Sequence, residues 1–214
     1  MAEHVDSSSW TMLSLGDSYS IGEGVPADLT WPAQLISRLR AAGRRMDDVE
    51  ILATTGWTTD ELLEAAAQYT FNPPYALVSL LIGVNNQFRG RPLETYSMEF
   101  ERLLDLAVEQ AGGEAGKVIV VSIPDWGVTP FARKEGFDDA AVAVEIDRFN
   151  ASAREQAMQR GAHWVDITGA SRGVARTFMA DDGLHPSDKQ YALWVDLILP
   201  VACQLLDTPL RRPD

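Results

Sequence analysis

The sequence predicts an α/β protein, a parallel sheet with helices packed on both of its faces. Three observations lead there. Short apolar runs alternate with longer amphipathic stretches in the order β-α-β-α-β-α-β-α-β-α. The middle run, Ala76–Ile82 (ALVSLLI), is nearly continuous in apolar residues, as expected of a central strand covered on two sides. No repeat of roughly 20–50 residues and no linker rich in Pro, Gly or Ser divides the chain. Residues 1–214 therefore read as one domain, with a polar tail at 1–9 and a C-terminal tail at 208–214.

The elements follow in order. Trp10–Leu15 reads as a strand that ends in Gly16-Asp17-Ser18. Trp31–Ala42 places Leu35, Ile36 and Leu39 at helical spacing, and Gly43 is its stop. Val49–Ala53 is a second strand, and Thr58–Gln68 a helix with Thr58 or Thr59 as N-cap. Pro73-Pro74 breaks the chain before the third strand, Ala76–Ile82. Leu93–Ala111 is a long helix with Phe100, Leu103, Leu104 and Ala107 on one face. Lys117–Ile123 is a fourth strand, followed by an irregular stretch from Pro124 to Phe137. Asp138–Arg160 is a helix closed by Gly161, and Trp164–Ile167 a fifth strand. A polar stretch leads to His185-Pro186, and Ser187–Leu206 is a last helix expected to bury Leu193, Trp194, Leu197, Ile198 and Val201.

Composition narrows the function. The 214 residues are 46% hydrophobic and 23% charged, enough to bury a full core and too apolar for general disorder. Eighteen Lys+Arg against 31 Asp+Glu leave a net charge of −13, which argues against binding nucleic acid and against docking on anionic membranes. A single cysteine, Cys203, forbids an intrachain disulfide and a multi-cysteine metal site; it is expected to be an inert core thiol. MAEHVDSSSW lacks the basic and apolar regions of a signal peptide, and no run approaches ~18 apolar residues. No integral membrane segment is expected. A cytoplasmic location is the expectation, with the mature form of an exported protein as the alternative.

In parallel sheets ligands sit beyond the carboxyl ends of the strands. Four loops are therefore informative. After the first strand comes Gly16-Asp17-Ser18-Tyr19-Ser20-Ile21-Gly22-Glu23-Gly24. Ser18 there is either a helix cap or a nucleophile standing clear of the sheet; neither GxxxxGK[ST] nor GxGxxG is present to favour a phosphate. The second loop, Thr55-Gly56-Trp57-Thr58-Thr59, uses Gly56 either to turn or to offer its N–H. In the third, Gly83-Val84-Asn85-Asn86, Asn85 serves an Asx turn or aims its NH₂ into the crevice.

The last constellation is Asp181-Asp182-Gly183-Leu184-His185-Pro186. Gly183 permits a bend that brings the Asp182 carboxylate to the His185 ring and fixes its tautomer. Asp181 is the rival partner. His4 and His163 read as surface or structural. Jointly the loops supply a nucleophile and base (Ser18, His185), an orienting acid (Asp182) and three oxyanion donors: the Ser18 N–H, the Gly56 N–H and the Asn85 side chain. Acyl transfer needs that set, because a serine hydroxyl is a poor nucleophile until a base takes its proton.

These four blocks resemble those of the SGNH, or GDSL-type, esterase/lipase superfamily, in its order and spacing from Gly16 to Pro186. One departure is Asn86, where that family often has Asp; this leaves the hydrogen bonds around Asn85 open. The resemblance implies a flavodoxin-like three-layer α/β/α fold with five parallel strands. It also implies ester hydrolysis through an acyl-enzyme, with Ser18, Asp182 and His185 catalytic, Ser18, Gly56 and Asn85 as the oxyanion hole, and no metal or other cofactor.

The expected substrate is a small-molecule ester with a short acyl group, since no long hydrophobic lid is evident. A carbohydrate O-deacetylase and a lysophospholipase or thioesterase are the alternatives. Outside catalysis stand a silent α/β binding module and a flavin- or nucleotide-binding protein. Asp17, Trp57, Arg89 and Trp126 are candidate substrate contacts. Arg89 and Arg91 either steer an acidic substrate or are solvated loop arginines. Val128, Phe131 and Phe137 join Trp126 either as a pocket wall or as loop packing. Nothing in the sequence speaks to oligomeric state.

Overall fold

A computed structural model of the chain describes residues 10–174 and 178–207, so both expected tails lie outside the described residues. Five strands form one all-parallel sheet: β1 (Met12–Gly16), β2 (Glu50–Ala53), β3 (Leu77–Leu81), β4 (Val118–Val121) and β5 (His163–Val165), in the order β2-β1-β3-β4-β5. Strands β1, β3 and β4 are buried along their whole length, which is why they read as unbroken apolar runs. The Ser14 and Ser79 hydroxyls, paired across β1 and β3 at 3.1 Å, are the polar exception.

The helices are α1 (Ser18–Ile21), α2 (Trp31–Ala41), α3 (Thr59–Gln68), α4 (Val84–Phe88), α5 (Leu93–Gln110), α6 (Pro130–Lys134), α7 (Asp139–Arg160), α8 (Thr168–Val174) and α9 (Asp188–Asp207). Helix α2 packs on α9, while α3, α5 and α7 pack side by side. The chain runs β1-α2-β2 toward one edge, then reverses through α3 to β3. A right-handed crossover in each direction puts α2 and α3 on opposite faces. The reversal opens a crevice beyond the carboxyl ends of β1 and β3, the switch point at which such sheets bind ligands.

The expected strands and long helices are present within one or two residues. Helix α3 starts behind Thr58, whose backbone N–H donates to Glu61 Oε2 at 2.8 Å in a capping box. Four short helices went unforeseen. Helix α6 lies within the stretch expected to be irregular, and α8 within the polar one. The buried face of α9 also differs from expectation: Tyr191, Trp194, Val195, Ile198 and Ala202 face inward, while Leu197 is 44% exposed. This helix is apolar on most sides, so spacing alone did not single out its inner face. Cys203, expected in the core, is only half-buried at its margin. No helix among the described residues is long and apolar enough to cross a membrane.

Candidate active site

The first loop turns abruptly because Gly16 has no side chain: a Cβ there would collide with Ser20 Oγ and the Leu81 carbonyl oxygen. Asp17 then caps α1, its Oδ1 accepting the Tyr19 N–H at 3.0 Å. Ser18 is the first residue of that helix and is nearly buried. Asp17 itself is fully buried, and its Oδ2 has no hydrogen-bond partner among the described residues. Burial pushes its carboxyl up to about 7, against the opposing pull of the Tyr19 N–H. Asp17, expected as a substrate contact, does not line the cavity that Ser18 and His185 share.

The Gly56 loop is a four-residue turn closed by the Trp57 N–H on the Thr54 carbonyl at 3.2 Å. Gly56 has φ +88, and no described non-glycine residue has a positive φ. A positive φ at the third position alone defines a type II turn, in which the central peptide carries the Gly56 N–H. That peptide is flipped relative to a type I turn, so the glycine decides which way the N–H points.

Helix α4 connects the loops. It occupies one turn after β3, and almost every side chain on it has a partner in another loop. Asn85 Nδ2 donates to the Trp57 carbonyl at 2.9 Å, leaving its second N–H. Asn86 is fully buried: its Oδ1 accepts the Thr59 N–H at 3.1 Å and its Nδ2 donates to Thr59 Oγ1 at 2.6 Å. The Thr59 hydroxyl donates onward to Glu99. Asn86 thus ties α4 to the start of α3, with the negative charge of this cluster carried one residue further out, on Glu99. Gln87 accepts the Trp126 indole N–H at 2.7 Å and donates to Glu145 at 2.7 Å.

His185 arrives on a hairpin. Residues Met179 and Pro186 bridge antiparallel, the Ala180 N–H donates to the His185 carbonyl at 2.8 Å, and the Phe131 N–H donates to the Gly183 carbonyl at 3.0 Å. Inside the bend, Asp182 Oδ1 accepts the backbone N–H groups of Leu184 (2.8 Å) and His185 (2.9 Å), and Oδ2 meets His185 Nδ1 at 2.6 Å. Partial burial alone would raise the Asp182 carboxyl, but the His185 ring and these two N–H groups outweigh it and hold it below the usual carboxylate range. An ionised carboxylate only accepts, so in the neutral ring Nδ1 carries the proton and Nε2 keeps a lone pair. Asp181, the rival partner, is exposed. The Tyr19 ring stands edge-on to the imidazole, centroids 5.8 Å apart.

Ser18, Gly56, Asn85 and His185 line one cavity of about 170 Å³. Thr55, Tyr19, Val84, Phe88, Trp126, Phe131 and Leu184 complete the lining, most of them apolar. The aromatic wall is continuous: Trp126 stands edge-on to both Phe88 (5.2 Å) and Phe137 (4.8 Å). Asp125, next to Trp126 in the chain, is a buried carboxylate that accepts the Gly127 N–H at 2.9 Å and pairs with Arg172 of α8 at 2.8 Å.

Of the candidate substrate contacts, Trp126 lines the cavity and Phe131 joins it. Two others do not. Trp57 lines a separate surface groove with Glu61 and Tyr69; its ring belongs to the α3 side while its carbonyl serves Asn85. Arg89 is engaged by protein, donating to the Gly56 carbonyl at 2.7 Å and pairing with Glu61 at 3.3 Å. Arg91 likewise pairs with Asp60 at 2.7 Å, so neither cation is left over for steering. The reading from sequence overlooked Tyr19, Val84 and Leu184, each adjacent to a motif residue, and Phe88, three positions after Asn85 on the same helical turn. Adjacency to the strand ends was the available signal.

A parallel α/β fold with a serine and an aspartate-backed histidine at its switch point defines a class, the serine hydrolases. The family model described as the GDSL-like lipase/acylhydrolase family matches residues 14–193, and the chain belongs to that family. It is an ester-hydrolysing serine hydrolase. Solved structures agree on the fold. TesA aligns with TM-score 0.71 at 21% identity, over 91% of this chain and 99% of TesA. The psychrotrophic esterase EstA from Pseudoalteromonas sp., inhibited by monoethylphosphonate, aligns at 0.66 and 18%, over 92% and 99%. The acetylxylan esterase Axe2 from Geobacillus stearothermophilus aligns at 0.66 and 17%, over 94% and 96%. No curated protein matches the sequence.

Proposed function

We propose that this chain is an esterase for short acyl groups, acting through an acyl-Ser18 intermediate. The observation that carries the reading is the shared cavity, lined by Ser18, His185, Gly56 and Asn85 together with apolar residues. His185 Nε2 takes the Ser18 proton as Oγ attacks the ester carbonyl. Asp182 holds the tautomer and supports the imidazolium that forms. The negative charge that develops on oxygen is met by the N–H groups of Ser18 and Gly56 and the free N–H of Asn85. The imidazolium then protonates the departing alkoxide, and a water activated by the same Nε2 releases the acid.

The size of the cavity supports short chains. An apolar cavity of ~150 Å³ holds a benzene ring, so about 170 Å³ suits an acyl group of about six carbons or fewer. An acetylated sugar is the second reading, favoured by the groove of Trp57, Glu61, Gln68 and Tyr69 that begins one residue beyond Gly56 and mixes aromatic faces with polar groups.

A p-nitrophenyl ester series from acetyl to dodecanoyl, run beside acetylated xylo-oligosaccharide, tests both. The first reading expects kcat/KM to peak between acetyl and hexanoyl and to vanish in Ser18→Ala with an unchanged unfolding curve. A peak at dodecanoyl, or activity surviving in Ser18→Ala, refutes it.

A further inference from the structure

We propose that Arg89 is a positioning residue for the oxyanion hole, gripping the Gly56 turn so that its N–H stays in register with the Asn85 side chain. The inference rests on the reading above and concerns a residue that touches no substrate.

Two arms reach from α4 to successive carbonyls of the same turn. Asn85 Nδ2 holds the Trp57 carbonyl at 2.9 Å, and Arg89 Nη2, one helical turn later, holds the Gly56 carbonyl at 2.7 Å. One hydrogen bond leaves the turn free to pivot about it; a second, one residue away on the turn and four away on the helix, removes the pivot. The peptide between Gly56 and Trp57 is then bonded at both ends, its N–H on Thr54 and its C=O on Arg89. The guanidinium also packs on the turn, 3.6 Å from where a Gly56 Cβ would sit.

Arg89 is itself anchored. Its Nη1 pairs with Glu61 Oε2 at 3.3 Å, and the same oxygen receives the Thr58 N–H at the start of α3. The first turn of α3, the Gly56 turn and α4 are thereby locked through one planar fork, a geometry lysine cannot reproduce because its ammonium is a point donor. Both proposed oxyanion donors outside α1 depend on this lock for their spacing, and a misplacement near 1 Å costs about 10²-fold in rate.

The test compares Arg89→Ala, Arg89→Lys and Arg91→Ala with wild type. Readouts are kcat and KM on p-nitrophenyl acetate and the affinity of a short alkylboronic acid, whose tetrahedral adduct on Ser18 places an oxygen where the oxyanion forms. Arg89→Ala is expected to lower kcat about tenfold to a hundredfold with KM within about threefold, and to weaken the boronic acid in proportion to kcat/KM. Added guanidinium ion should restore part of the rate. Arg89→Lys should fall in between. Arg91→Ala removes the same charge from the same loop, and should stay within about twofold.

Arg89 is half-exposed, so both its variants are expected to fold; unfolding curves check this, and the lysine variant carries the test should alanine fail. Unchanged kcat in the Arg89 variants, a loss confined to KM, or equal losses at Arg89 and Arg91 would overturn the clamp. Wild type inert toward both ester and boronic acid would instead remove the parent reading.

Discussion

Replacing Gly56 by alanine separates conformation from space. The added methyl meets nothing closer than 3.6 Å, an ordinary contact, so no clash arises. The obstacle is φ +88, which costs an L-residue about 1–2 kcal/mol. The free enzyme can escape that strain by flipping the central peptide into a type I turn, where the N–H points away from the reacting carbonyl. During reaction two routes compete. Losing one oxyanion donor outright costs ~2.7–4 kcal/mol. Flipping back costs only the strain, about 1–2 kcal/mol, and is therefore the route taken; it corresponds to a loss of roughly fivefold to thirtyfold in kcat. Asn85→Ala has no such escape and should lose about 10²–10³-fold. Steady-state kinetics of both variants on p-nitrophenyl acetate, beside their melting curves, supply the comparison. A Gly56→Ala enzyme as fast as wild type, or as slow as Asn85→Ala, refutes this account of the turn.

Two further outcomes are expected. The Asp17 carboxyl is raised to about 7 by burial, so the folded state favours its protonated form; that contribution is complete below the ordinary carboxylate range and is lost as pH rises through 7. Asp17→Asn keeps the acceptor for the Tyr19 N–H but cannot ionise, so it should raise Tm relative to wild type at pH ~9 and much less at pH ~4; a Tm difference independent of pH would contradict the burial argument. Trp126→Ala opens the apolar wall and removes the donor on Gln87 Oε1, so the acyl-length optimum in the ester series should move to longer chains while kcat on acetyl esters falls less than tenfold; an unchanged optimum would take Trp126 out of the acyl pocket.

What the sequence made legible follows the range of the forces involved. Strands β1, β3 and β4 and helix α5 announce themselves because a buried run or an amphipathic face repeats its signal over many residues, and α7 does so by its length between the Asp138 and Gly161 caps. Helices α1, α4, α6 and α8 span seven residues or fewer, too few turns for a periodicity to rise above the local composition. The principal site residues were legible because each sits immediately beyond a strand or in a bend with an acid nearby. The roles of Trp57 and Arg89 were not, because they depend on contacts 28 and 33 residues apart in sequence that arise only when the fold brings α4 to the Gly56 turn. Asp17 shows the same limit: its N-cap position is a local signal, whereas the isolation of its second oxygen arises from its burial in the folded chain.

The central claim is that the alcohol at position 18 is activated by the imidazole at 185. Stoichiometric labelling with a short alkyl fluorophosphonate near neutral pH, read by intact mass and peptide mapping, addresses it most directly. The account predicts one adduct per chain, on Ser18, absent in Ser18→Ala and formed far more slowly in His185→Ala. Labelling at another serine such as Ser20, or equal rates with and without the imidazole, would contradict it.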